Sequence, residues 1–141
     1  MQDCIFCRIV ANEIPSSKIY EDAHTLAFLD IGPLVKGHTL VIPKQHYDPL
    51  TTVPTETLAA CMHTVQRVML ALEQSLGSHG VNMHQANGTA AGQVVPHVHF
   101  HVIPRFNDDG HHWNWRASSY ASPVEMQELA AIIQSHMAGN P

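Results

Sequence analysis

The sequence predicts an α+β domain, on three observations: several short strand-like stretches set off by turn residues, one long amphipathic helical pattern, and a capping box near the C-terminus. A chain of 141 residues with 45% hydrophobic content is long enough for one globular unit with a substantial core. Short strands in a meander with two helices packed on them are the expected architecture.

The elements follow in order. Ile19-Tyr20 and His24 to Phe28 read as strands joined by the turn residues Glu21-Asp22-Ala23, a hairpin. His38 to Ile42 continues as a third strand closed by Pro43. From Thr55 to Leu76 the residues Leu58, Cys61, Val65, Val68, Leu72 and Leu76 recur at helical spacing, and Gly77 is the natural stop. One face of that helix must pack on the sheet. Val81 to Gln85 is a fourth strand, and Pro96-His-Val-His-Phe-His-Val-Ile-Pro104 a fifth, with prolines at its ends where a missing ladder donor is tolerated. Asn107 to Ser122 is rich in Gly, Ser, Asp and His and reads as a loop, in which His111 and His112 are solvated. Trp113 and Trp115 in this loop either close over a site or pack a partner. Ser122-Pro123-Val124-Glu125 then opens a C-terminal helix carrying Leu129, Ile132 and Ile133.

Charge narrows the function. The net charge is −5 and no two Lys or Arg residues are adjacent, which disfavours nucleic-acid and membrane-surface partners. No stretch approaches eighteen uninterrupted apolar residues, so a soluble, cytoplasmic protein is expected. The chain has 3 cysteines, and Cys61 falls at an apolar position of the long helix. Cys4 and Cys7 are a redox pair, two buried thiols or half of a zinc site.

The most informative feature is the alternation of His97, His99 and His101. On a strand the three imidazoles share one face, roughly 6.6–6.8 Å apart, while Val98, Phe100 and Val102 bury the other. Such a row is a set of hydrogen-bonded strand histidines, a three-histidine metal site, or catalytic machinery for an anion such as phosphate. Catalysis fits best. A neutral imidazole with an ordinary pKa of ~6.5 can attack phosphorus near pH 7, and the central His99 has a supporting histidine on each side. The Gly-rich stretch from Asn87 to Gly92 offers backbone N–H groups to phosphate oxygens.

His97-Val-His99-Phe-His101-Val-Ile103 resembles the His-φ-His-φ-His-φ-φ signature of the histidine triad (HIT) family of nucleotide hydrolases and transferases. Cys4-Ile-Phe-Cys7-Arg-Ile, Phe28-Leu-Asp30-Ile31, Gly37-His38-Thr-Leu-Val-Ile-Pro43-Lys44 and Ala91-Gly92-Gln93 fall in the family's order and spacing, over about residues 3–106. The chain is most similar to small bacterial, zinc-containing members near the adenosine phosphoramidase-like group. The resemblance implies a single HIT domain over 1–141, with a loop and helix at 107–141. It implies a five-stranded antiparallel meander sheet with helices on one side, and a homodimer.

The resemblance also assigns roles. His99 is the nucleophile, His101 serves the phosphate and leaving group, and His38 orients the nucleophile. Gly92 and Gln93 meet the phosphate, Asp30 accepts hydrogen bonds from the ribose hydroxyls, and Phe6, Ile9, Phe28 and Ile31 line the base pocket. Cys4, Cys7, His46 and His97 hold a structural Zn²⁺, and no catalytic cofactor is implied. Two positions depart from the pattern: Ala86 and Val94 stand where relatives often carry polar residues, and Asn87 is the candidate substitute for the first. The implied reaction is hydrolysis or transfer at the α-phosphate of adenosine or purine nucleotide derivatives (AMP or GMP phosphoramidates, or dinucleoside polyphosphates) through a covalent nucleotidyl-histidine. The alternatives are a nucleotide-binding interaction protein with vestigial activity and a metal-dependent hydrolase that uses the triad as ligands.

Overall fold

A computed structural model describes residues 3–112, 114–137 and 139. The chain divides into two compact units, Met1–Asp109 and Gly110–Pro141, which are taken separately. Among the described residues no helix is long and apolar enough to cross a membrane.

The first unit is built on five strands: β1 Lys18–Glu21, β2 Thr25–Leu29, β3 Thr39–Pro43, β4 Gly80–His84 and β5 Phe100–Arg105. Their order is β1-β2-β3-β5-β4, with every neighbouring pair antiparallel. The order is that of a meander except that β4 takes the edge and β5 fills the place beside β3. Between β3 and β4 runs the long helix α2, Thr55–Leu76, with the limits the periodicity predicts. It stops where Gly77 adopts a left-handed conformation and its N–H reaches the Glu73 carbonyl at 3.0 Å. The β1–β2 turn is held by Asp22, whose Oδ1 accepts the N–H groups of His24 at 2.8 Å and Thr25 at 2.7 Å.

α2 packs Cys61, Val65, Val68 and Leu72 against Ala27, Val41, Val98, Phe100 and Val102. The central strands are apolar on both faces, and Leu26, Phe28, Leu40 and Ile42 point away from α2. That second face is covered by a short helix, α1 Ile5–Val10, through Phe6 and Ile9. The expectation of helices on one side of the sheet is thereby corrected. Sequence periodicity misses α1 because its six residues are too few to show a period and its N-cap, Cys4, makes no side-chain capping bond.

A second correction concerns β5, which begins at Phe100 and not at the first histidine. Pro96 has no N–H to give, the His97 N–H turns back to the Val95 carbonyl at 2.9 Å, and the Val98 N–H goes to Tyr47 at 2.8 Å. His97 and His99 therefore precede the ladder, and His101 lies within it.

Gly37, just before β3, has φ +99°, and a Cβ there would lie 2.6 Å from Leu76 Cδ1 and 3.1 Å from Pro104 Cγ. Leu76 is half exposed and its methyl can swing away, so backbone strain dominates. Gly37→Ala is expected to lower stability by roughly 1–3 kcal/mol, read as a lower urea midpoint at unchanged m-value.

In the second unit, α3 spans Pro123–Met137. One arm of its capping box is formed as the sequence indicates, Ser122 Oγ accepting the Glu125 N–H at 3.1 Å, while the Glu125 carboxylate accepts the N–H of Ala121, one residue before the cap. Leu129, Ile132 and Ile133 are exposed. Trp115 is 80% exposed and His111 and His112 are exposed, while Trp113 lies outside the described residues.

Candidate active site and metal centre

Phe6, projecting from α1, divides the histidine row. Its ring meets His97 edge-on at 5.8 Å between centroids and His99 at 5.2 Å. His97 is fully buried on the cysteine side of this divider, whereas His99 and His101, 5.0 Å apart, lie on the other. The three identical side chains thus stand in two environments.

Backbone partners fix how the imidazoles on the second side carry their protons. The Leu34 N–H donates to His38 Nδ1 at 3.0 Å, so in neutral His38 the proton sits on Nε2. That Nε2–H donates to His101 Nδ1 at 2.8 Å, which leaves the His101 proton on its own Nε2. His99 is held in the opposite tautomer: its Nδ1–H donates to the His97 carbonyl at 2.6 Å, and its Nε2 keeps a free lone pair with no hydrogen-bond partner among the described residues. One ring offers a lone pair and its neighbour an N–H.

Burial, followed by the charges of His99, His38 and His84, pushes His101 down to about 4. Burial also lowers His38, with the Asp30 carboxylate 3.6 Å from its Nε2 opposing the shift, and burial lowers His97. These groups take up protons more readily once unfolded, so stability is fully present above about pH 6.5 and declines as pH falls toward 4. The His101 share, discounted for its partial solvent access, is on the order of 1–2 kcal/mol, or a few degrees of Tm. Thermal melts across this range should show the decline, and His101→Gln should flatten it.

Beside His99 and His101 opens a cavity of about 820 Å³, within the size range of small-molecule sites. Phe6, Ile9 and Phe28 form apolar wall, Ile31 is a fully exposed rim, and Asp30 and Gly92 contribute polar groups. Asp30 Oδ1 accepts the Gly32 N–H at 2.8 Å, so one carboxylate oxygen is committed to the turn. Leu40 and the exposed Val94 also line this space.

Neither Gln93 nor Asn87 is among the cavity-lining residues. The Gln93 amide donates to Asp48 at 2.8 Å and to the Val95 carbonyl at 3.0 Å, while its oxygen accepts the Gly88 N–H at 2.6 Å. It braces the glycine loop from behind. Asn87 Oδ1 accepts the Leu50 N–H at 2.8 Å, which tethers the other end of that loop.

On the cysteine side, Cys4, Cys7, His46 and His97 place one ligand atom each within 4.8 Å of one another. Cys4 Sγ lies 3.5 Å and Cys7 Sγ 3.6 Å from His97 Nδ1, and Cys7 Sγ lies 3.4 Å from His46 Nδ1. Zinc–ligand distances of about 2.3 Å to sulfur and 2.0–2.1 Å to nitrogen give a tetrahedral sulfur–nitrogen edge of about 3.6 Å. The residues therefore fit Zn²⁺. His97 Nε2–H donates to the Pro43 carbonyl at 2.9 Å, which frees Nδ1 as the ligand atom. Without an ion, burial and then the adjacent Cys4 push the Cys7 thiol up to about 11, which disfavours the reactive thiolate a redox pair needs.

Sequence reasoning had no signal for the Leu34 N–H, the Pro43 carbonyl or Phe6 as divider, since each acts through position and not through residue type.

Comparison with known proteins bears on the family and the fold. The HIT domain family model matches residues 11–108, beginning just past α1. The adenosine 5'-monophosphoramidase hnt1 of Schizosaccharomyces pombe is 43% identical over 133 residues, covering 94% of this chain and 96% of that protein. A crystal structure of a HIT family member from Bacillus subtilis superposes with a TM-score of 0.88 at 40% identity, covering 94% and 96% of the two chains. A Zn-bound histidine triad family protein from Mycobacterium smegmatis superposes with a TM-score of 0.75 at 38% identity, covering 96% and 98%.

Proposed function

Because this chain belongs to the HIT domain family, we propose that it is a nucleotide hydrolase or transferase acting at the α-phosphate of adenosine or purine nucleotide derivatives through a covalent nucleotidyl-His99. The observation that carries the reading is the pair of opposite tautomers at His99 and His101, beside a cavity with apolar walls and a carboxylate. The base lies among Phe6, Ile9 and Phe28, near Ile31, and Asp30 accepts from the ribose. The α-phosphate then sits over His99. Nε2 of His99 attacks phosphorus, the N–P bond forms, and the bond to the leaving group breaks with its electron pair going to that group, which departs as an oxyanion or, from a phosphoramidate, as an amine that takes a proton from solvent. The positive charge on His99 is stabilised by the His97 carbonyl at Nδ1–H. His101 Nε2–H, held outward by His38, donates to a phosphate or leaving-group oxygen. Water then attacks phosphorus, the N–P pair returns to His99, and a proton is released to solvent. Gly92 gives the phosphate a close backbone approach, and Gln93 and Asn87 act by shaping that loop.

We place a structural Zn²⁺ on Cys4, Cys7, His46 and His97, supported by the ligand spacing and by the Zn-bound relative. The reading of the triad as one metal site has no geometric support: the ligand groups among the described residues contain His97 and His101 separately and His99 not at all. A homodimer in the cytoplasm completes the proposal. Half-exposed Leu70 on α2 and Met83 on edge strand β4 are apolar surface that a second copy would cover, and light scattering should return twice the chain mass.

The decisive experiment is acid-free mass spectrometry after rapid mixing with a nucleoside phosphoramidate or a dinucleotide. A nucleotidyl adduct on His99 is expected. A protein that binds AMP yet never forms the adduct is a binding module, and that outcome overturns the enzyme reading.

A further inference from the structure

His84 is the histidine beside the site to which no role has yet fallen. It ends the edge strand β4 directly opposite His101 in the β4–β5 register, and the two rings lie 5.7 Å apart at 47°. Unlike His38 and His99 it is exposed, and its ring makes no hydrogen bond among the described residues.

Its position relative to the substrate follows from the sheet. β5 has β3 on one side and β4 on the other. Phe28, Asp30 and Leu40, on or beside β2 and β3, line the nucleoside cavity, and β4 contributes no lining residue. With the nucleoside filling the β3 side of His99 and His101, the departing group passes over β4.

The face of β4 beside His101 carries two donor-bearing side chains, His84 and Asn82. Alternation puts His84 and Asn82 on the same face as His101 and Arg105, with Val81 turned to the α2 side. Arg105 donates to Asn82 Oδ1 at 2.8 Å, and the nearby acid, Asp109, is held in a two-pronged pair with Arg105 at 2.7 and 3.0 Å. Asp109, the carboxylate at the far end of this face, is thus already paired. His38 is supported by Asp30, but on the ribose side.

We propose that His84 is a specificity-determining residue that donates to the leaving group and favours oxyanion leaving groups, phosphate chains or sulfate, over amines. The inference rests on the proposed nucleotidyl transfer to His99. The bond that breaks is P–O, its electron pair stays on the leaving oxygen, and that oxygen departs as an anion without needing a proton. The low proton affinity of His101 fits this preference, because an amine leaving group needs an acid to protonate it and neutral His101 is a poor one.

The test compares wild type with His84→Leu and His84→Gln on three substrates: diadenosine tetraphosphate, adenosine 5'-phosphosulfate and an AMP phosphoramidate of lysine. His84→Leu is expected to lower kcat/KM for the anionic leaving groups by about tenfold, the effect of one hydrogen bond to a charged group, with the phosphoramidate and AMP affinity changed less than about twofold. His84→Gln, which keeps an N–H donor, restores most of the loss. A loss confined to the tetraphosphate or to the phosphosulfate supports the proposal and identifies which oxyanion is recognised. Equal losses on all three substrates, or none, overturn it. A wild-type adduct on His99 accompanied by an indifferent His84→Leu overturns this inference alone; absence of the adduct from wild type overturns both.

Discussion

His99→Ala is expected to lower turnover of nucleotide substrates by roughly 10⁴-fold or more while leaving AMP affinity within about threefold. The size of the effect follows from the tautomers. A second histidine 5.0 Å away looks like a ready substitute, yet His101 receives the His38 proton at Nδ1 and must carry its own on Nε2, so it presents a donor where a nucleophile is needed. His101→Ala should therefore cost less, about 10²–10³-fold, because it removes a hydrogen bond to developing charge and leaves the attacking lone pair in place. His38→Ala is expected to fall between wild type and His101→Ala, since it frees His101 to adopt either tautomer. The measurements are single-turnover rates and intact-protein mass. Residual activity of a few per cent in His99→Ala, or an adduct on another histidine, would remove His99 from the nucleophile's position.

The sequence exposed a great deal of this, and the remainder was hidden for identifiable reasons. The α2 limits were legible because a long helix repeats its period several times and Gly77 ends it with a backbone shape that other residues resist. β2 and β3 are legible as strands, and Leu26, Phe28, Leu40 and Ile42 carry the signal that a second element must cover their other face, without saying which stretch of chain supplies it. α1 stayed hidden because six residues show no period. At the site, the residue types were readable and their environments were not. Alternation alone makes His97, His99 and His101 equivalent, whereas Phe6 and the carbonyls of Pro43 and His97 make them different. Gln93 shows the same limit, since a polar residue before the triad is equally suited to touching phosphate and to bracing the loop that does, and here its amide is engaged with Asp48, Val95 and Gly88.

Removal of zinc is expected to lower Tm by on the order of 10 °C or more, and to weaken nucleotide binding more than it slows the bound complex. The proposed ligands come from three separate stretches: Cys4 and Cys7 at α1, His46 after β3, and His97 ahead of β5. An ion there ties α1 to the sheet. α1 is short and lacks a side-chain cap, so it has little intrinsic stability and depends on Phe6, Ile9 and these ligands. The same Phe6 and Ile9 line the cavity proposed for the nucleoside, and loosening α1 is therefore expected to act first on affinity. By contrast, the protons on His38, His101 and His99 are set by Leu34, by one another and by the His97 carbonyl, with no metal ligand atom among those contacts. Cys7→Ser should reproduce the chelated state in a melting curve and in AMP affinity. Cobalt(II) exchanged into the wild type should show the visible absorption of a tetrahedral thiolate site, and Cys7→Ser should lose it. Chelation that stops saturated turnover while leaving Tm unchanged would instead make the ion catalytic, and would reverse the separation of structural and chemical histidines on which the site rests.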